Sequence, residues 1–151
     1  MQLLSLEVRI VGIGGLYMDY ILSEKRQKVL EGIDKFGVVT SVQLEKFFPG
    51  IAKMTIFRTR QQVEEMGLAE TKVFGRRKVL CITKKGSEYV GRISRGAGLS
   101  YSNLQHDLTT NDVIYSLMFD KNYSEKGFDF RTERELKEDI YLNASFCLLY
   151  T

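Results

Sequence analysis

The stretch AKMTIFRTRQQVEEMGLAE, residues 52–70, decides how the rest of the chain is read. Ile56, Val63 and Met66 recur near one face at helical spacing, with Thr59 between them. Thr55, Arg58, Gln61 and Gln62 fall mostly on the other face. Gly67 stands where a left-handed residue would end the helix, and Leu68 can fold back onto the last turn. The polar face holds Arg, Gln and Thr, which can reach base edges and phosphates, and no carboxylate before Glu64. On an isolated helix such a face is most simply a solvated one, so the neighbouring segments decide.

Downstream, Leu68 to Phe74 and Lys78 to Ile82 are β-prone runs joined by Gly75-Arg76-Arg77, the pattern of a hairpin. Three consecutive cations, Arg76, Arg77 and Lys78, repel one another at its tip. An external anion explains that arrangement better than a merely soluble turn does. Thr83 then N-caps a further helix whose Tyr89, Val90 and Ile93 can pack back on the first helix. Upstream, Ser23 N-caps a helix carrying Val29, Leu30, Ile33 and Phe36, which Gly37 closes. Val38-Val39 is a short β-prone pair. Thr40 and Gln43 form a capping box that opens a second short helix, with Val42, Leu44, Phe47 and Phe48 on its apolar side and Pro49-Gly50 at its end.

The charge is distributed unevenly. Between Lys53 and Lys85 there are nine bases and three acids, a net of +6, against thirteen bases and sixteen acids elsewhere. A positive middle with acidic flanks suits a polyanion-binding face. The 151 residues fit one domain with an appendage, and the 44% hydrophobic and 11% aromatic content supports a packed core rather than disorder. Cys81 and Cys147 form no CxxC, and with one histidine they cannot build a zinc site of the His/Cys type. They read as free thiols in a reducing cytoplasm.

At the start, Glu7, Arg9 and Asp19 interrupt an apolar run that would otherwise suit a membrane span. Gly12, Gly14 and Gly15 lack the spacing of a dinucleotide fingerprint. The ordered pattern begins right after Met18, which predicts that Met18 is the natural start and residues 1–17 an upstream leader; loss of folding or of DNA binding on their deletion would overturn this. Past the hairpin, Gly96-Ala-Gly98 reads as a linker. Leu104, Leu108, Val113, Leu117 and Met118 give an apolar stripe on a helix over 102–120, widened by Ile114 and Tyr115. That helix can either cap the domain or join two copies. Residues 122–127 look turn-like, 128–131 strand-like, and Thr132 to Glu135 form a second capping box for a helix running to about Ile140.

The order helix, short strand, helix, helix, basic-tipped hairpin resembles the winged helix-turn-helix family over roughly residues 23–93. Its matching parts are Thr55, the Ile56 and Val63 pair, the helix end EEMGLAE, the GRRK tip and the TKKG helix start. One position departs: Arg60 stands where the family usually has an apolar residue. Either Arg60 snorkels past the core or the helix turns Thr59 inward. The segments LQHDLTTNDVIYSLM and FRTERELKED resemble the plasmid replication-relaxation family, in which a nuclease-like segment follows the winged helix. None of that segment's residues can be carried over to this chain.

The fold expected is therefore α+β and mainly helical: three helices with a β-hairpin wing, then additional C-terminal helices. Its expected parts are an N-terminal extension (1–22), a winged-helix domain (23–95) and a C-terminal extension (99–151). The resemblance implies sequence-specific binding of double-stranded DNA through Lys53, Thr55, Arg58, Gln61, Gln62, Arg76, Arg77 and Lys78. It also implies homodimerisation, for which the 102–120 helix is the candidate, and a role in transcription or in replication of a mobile element. Catalysis, metals and cofactors are not expected. His106 beside Asp107 lacks a nucleophile and reads as a cap or core contact, and Glu133, Glu135, Glu138 and Asp139 read as a solvated ion-paired face. The rival function is a protein-interaction module.

Overall fold

The computed structural model describes residues 21–92, 101–126 and 129–140. The winged-helix order is present. It comprises α1 (Glu24–Phe36), β1 (Val38–Val39), α2 (Ser41–Phe47), α3 (Lys53–Glu65), β2 (Ala69–Phe74), β3 (Arg77–Ile82) and α4 (Lys84–Tyr89). Beyond it come α5 (Tyr101–Phe119), α6 (Lys121–Ser124) and a helix over residues 133–140, α7. The three strands form one antiparallel sheet in the order β1-β3-β2.

Local signals account for most boundaries. Gly37 ends α1 at φ 76°, a conformation that costs glycine little. At α2 both halves of the capping box are formed: the Gln43 N–H donates to Thr40 Oγ1, and the Thr40 N–H donates to Gln43 Oε1, each at 3.2 Å. The same device opens α7, where the Thr132 N–H donates to Glu135 Oε2 at 2.9 Å and the Glu135 N–H donates to Thr132 Oγ1 at 3.3 Å.

β3 is the centre of the packing. Val79, Leu80, Cys81 and Ile82 are all buried, because successive side chains point to opposite faces and both faces are covered. Leu80 and Ile82 join Val29, Leu30, Ile33, Val39, Leu44, Ile56 and Val63 in the core beneath α1, α2 and α3. Val79 and Cys81, with Val38, pack against Leu104 and Leu108 of α5. Burial pushes the Cys81 thiol up to about 11. In α4, a Cβ on Gly86 would lie 2.0 Å from the Leu68 carbonyl oxygen, so only glycine lets this helix approach the sheet.

Several expectations are corrected. Val42 is exposed and Gln43 is buried in its place. Gln43 Nε2 donates to the Leu108 carbonyl at 2.8 Å and to Asp112 Oδ1 at 3.0 Å, and Asn111 Nδ2 donates to the Val38 carbonyl at 2.8 Å. These amides satisfy one another inside, which an apolar stripe could not reveal. The α5 stripe is also split. Its inward line runs through Leu104, Leu108 and Asn111, so Val113, Leu117 and Met118 remain exposed. The first half of the helix is therefore an intramolecular cap on the sheet. Residues 121–124 form a helical turn capped by Asp120, and residues 129–131 form no strand. Tyr89 stays largely exposed, its hydroxyl accepting from the Leu22 N–H at 3.2 Å, whereas Val90 packs on the core. The expectations for residues 1–17, Ile93, the Gly96–Gly98 linker, Phe128 and Cys147 lie outside the described residues.

The acids of α7 are not simply solvated. Asp34 of α1 is fully buried. It accepts from Ser87 Oγ at 2.7 Å and from Arg134 Nη2 at 3.3 Å, and Arg92 Nε lies 3.2 Å from its second oxygen. Arg92 also reaches Glu135 at 3.1 Å and Glu138 at 3.6 Å, and Lys35 stands 3.7 Å from Glu135. Burial alone would lower the Arg92 pKa, but its bond to Glu135 and the charges of Asp34 and Glu138 raise it. Only Glu133 and Asp139 keep the exposed pairing expected, with Lys137 and Arg131. His106 is neither a cap nor a core contact: it is exposed and lies 3.7 Å from Glu133.

Candidate nucleic-acid interface

α3 is held at both ends by neighbours that leave one face open. Its start rests on backbone bonds alone, with the Thr55 and Ile56 N–H groups donating to the Ala52 carbonyl at 2.9 and 3.1 Å. At its end Gly67 takes φ 72°, and the Leu68 N–H donates to the Val63 carbonyl at 2.8 Å, burying Leu68 as expected. Lys85 Nζ caps the Met66 carbonyl at 3.0 Å, Thr83 Oγ1 donates to the Gly67 carbonyl at 2.7 Å, and Thr71 of β2 bonds Glu64. The helix and the wing base are thereby fastened to each other.

The inward line of α3 is Ile56, Thr59 and Val63, all buried. This resolves the departure at position 60. Thr59 faces inward, its hydroxyl donating to the Thr55 carbonyl at 2.7 Å, while Arg60 lies half-buried at the side and bonds Ser41 of α2. Arg60 thus ties the two helices of the motif together rather than reaching outward.

At about 100° per residue, Met54, Gln61 and Glu65 lie opposite Val63, with Phe57 and Arg58 to either side of them. All five are exposed. Arg58 and Gln61 therefore stand where the sequence predicted. Thr55 is half-buried at the edge of this face. Gln62 is also at the edge, its side-chain Oε1 accepting from Arg26 of α1. Lys53 is exposed, 3.5 Å from Glu45 of α2. Met54 and Phe57 share the open face with Arg58 and Gln61, as the same helical spacing requires.

The wing turn is tighter than expected, with Phe74 paired to Arg77 and only Gly75 and Arg76 between them. Gly75 takes φ 60°, as the first position of a two-residue hairpin turn of the primed class requires. Arg76, Arg77 and Lys78 are all exposed. Arg77 Nη1 donates to Gln105 Oε1 of α5 at 2.5 Å, and Gln105 Nε2 donates in turn to Thr109 Oγ1 at 3.2 Å.

The bases of the +6 segment are not equivalent. Arg60 and Lys85 are engaged within the fold, and Lys72 is paired with Glu70 at 3.0 Å, a contact that raises its pKa. Arg58, Arg76, Lys78 and Lys84 are exposed and have no hydrogen-bond or ion-pair partner among the described residues. Among the described residues no group of three His, Cys, Asp or Glu side chains is placed to hold a metal ion, and no helix is long and apolar enough to cross a membrane.

No family model and no curated protein sequence matches the chain. Among solved structures it is similar to the oxidized form of MarR from E. coli, at 18% identity and a TM-score of 0.42 over 83% of this chain and 76% of that one. It is similar also to a mutant MarR from E. coli complexed with operator DNA, at 18% identity and a TM-score of 0.42 over 83% and 75% of the two chains. A third is a MarR family transcriptional regulator from Silicibacter pomeroyi, at 17% identity and a TM-score of 0.40 over 85% and 72%.

Proposed function

We propose that the chain is a sequence-specific double-stranded DNA-binding protein of the cytoplasm that regulates transcription. α3 enters the major groove and the wing lies along the phosphate backbone or an adjacent minor groove. The observation that carries this is that Arg58, Arg76 and Lys78 are exposed, with no hydrogen-bond or ion-pair partner among the described residues, on a helix and hairpin joined through the Thr71–Glu64 and Lys85–Met66 contacts. An external polyanion supplies the counter-charge that the described residues do not. Arg58 and Gln61 read base edges, Lys53 and Thr55 contact phosphate at the start of the helix, and Gln62 supplies its free amide hydrogens from the side.

Arg58→Ala is expected to relax sequence preference at one base pair and to cost roughly 1–3 kcal/mol if the guanidinium grips guanine bidentately. Binding of duplexes substituted at each position measures this. A uniform loss across all sequences would make Arg58 a phosphate contact instead.

The exposed second half of α5, with Val113, Leu117, Met118 and Phe119, is the proposed seam between two copies. Selection of bound sequences from a random duplex pool tests both parts together, a palindromic site being the outcome a two-fold dimer requires. The resemblance of the C-terminal segments to replication-relaxation proteins extends the proposal to a mobile element's replication. A protein-interaction module is the second reading, favoured by the exposure of Met54 and Phe57. Titration of random duplex separates the two: binding that fades steeply with salt supports DNA, and no binding even at low salt supports a protein partner.

A further inference from the structure

The open face of α3 carries two large apolar side chains. Met54 is 59% exposed and Phe57 52% exposed, and they lie one turn apart, flanked by Lys53, Arg58 and Gln61. Single exposed apolar side chains are ordinary on a protein surface. Here two large ones lie one turn apart on the side of the helix away from the core, Met54 opposite Val63 and Phe57 beside it. The cations around them restrict what can cover it. A protein surface closing over Met54 and Phe57 would also have to strip water from Arg58, a penalty repaid only by a matching buried acid. Duplex DNA meets both requirements at once. Phosphates line the edges of the major groove, and the apolar group on its floor is the C5-methyl of thymine.

We infer that Met54 and Phe57 read thymine methyl groups, so that the bound site carries thymines under the first two turns of α3. The inference rests on the DNA-binding reading above and specifies the bases that reading leaves open. Arg58 and Gln61 read hydrogen-bonding edges, whereas Met54 and Phe57 read the one apolar mark in the groove. The apolar readers distinguish thymine from uracil, and they accept 5-methylcytosine where the neighbouring polar contacts allow it.

The test uses the full chain and the sequence recovered from a random duplex pool. Each thymine is replaced in turn by deoxyuridine, which removes the methyl group and leaves the pairing and the protein unchanged. Affinity is expected to fall by about fourfold at each contacted thymine, the factor that burying one methyl-sized group contributes. In Met54→Ala or Phe57→Ala the penalty at the corresponding position is expected to vanish, while Arg58→Ala keeps it. Both apolar positions are exposed, and unchanged melting of the variants shows that the difference comes from the interface. Tight duplex binding that no deoxyuridine substitution alters overturns the inference and leaves the DNA-binding reading intact. Absence of duplex binding at low salt overturns both and transfers the apolar patch to a protein partner.

Discussion

Asp34→Ala is expected to lower the unfolding free energy by roughly 3 kcal/mol, toward the lower end of what breaking a buried ion pair costs. The carboxylate is fully buried beneath α1, and its removal leaves Arg92, Arg134 and the Ser87 hydroxyl facing an empty site. Both arginines keep some access to water, and Arg92 keeps Glu135 and Glu138, which limits the loss. Urea denaturation of the two proteins measures it directly. The effect should exceed that of Ser87→Ala, which removes two hydrogen bonds, one to Asp34 and one from Arg134, each worth about 1 kcal/mol net. A loss below that of Ser87→Ala would show that Asp34 is not the centre of the cluster.

Replacing Arg76, Arg77 and Lys78 together with alanine is expected to weaken binding to every duplex alike, on the order of a hundredfold at moderate salt. The slope of log affinity against log salt should flatten by about 0.9 for each phosphate contact removed. The ranking of sequences should survive, because the wing contacts carry charge rather than base information. Arg77 alone should contribute least of the three, since its guanidinium is already engaged by Gln105. Measuring affinity at several salt concentrations, on the selected site and on a random duplex, separates these outcomes. If the triple variant loses sequence preference as strongly as Arg58→Ala does, the division between helix and wing is wrong.

What could be read from sequence follows from how far apart the interacting residues lie. Helix ends depend on near neighbours, so Gly37, Gly67, the Thr40–Gln43 box and the Thr132–Glu135 box were legible. The three core helices and the hairpin were legible for the same reason: their apolar spacing matches one period over a full element. The buried ion cluster was not, because Asp34 meets Arg92 and Arg134 only once the chain has folded back, and no local pattern marks such a meeting. Position 43 shows the same limit. A glutamine next to Val42 gave no sign that it, and not the valine, would face inward. On the open face of α3 the difficulty was of another kind. The spacing is sufficient to place Met54 and Phe57 away from Ile56 and Val63, but an apolar side chain on an open face carries no local mark of what it meets.

Gln43 uses its oxygen on the first turn of α2 and its nitrogen on α5. One side chain thus serves two masters, and neither helix can slide without releasing the other's grip on it. Since Arg60 hooks α2 to α3, a tug on the long C-terminal rod is transmitted to α3 through two side chains, with no loop in between to absorb it.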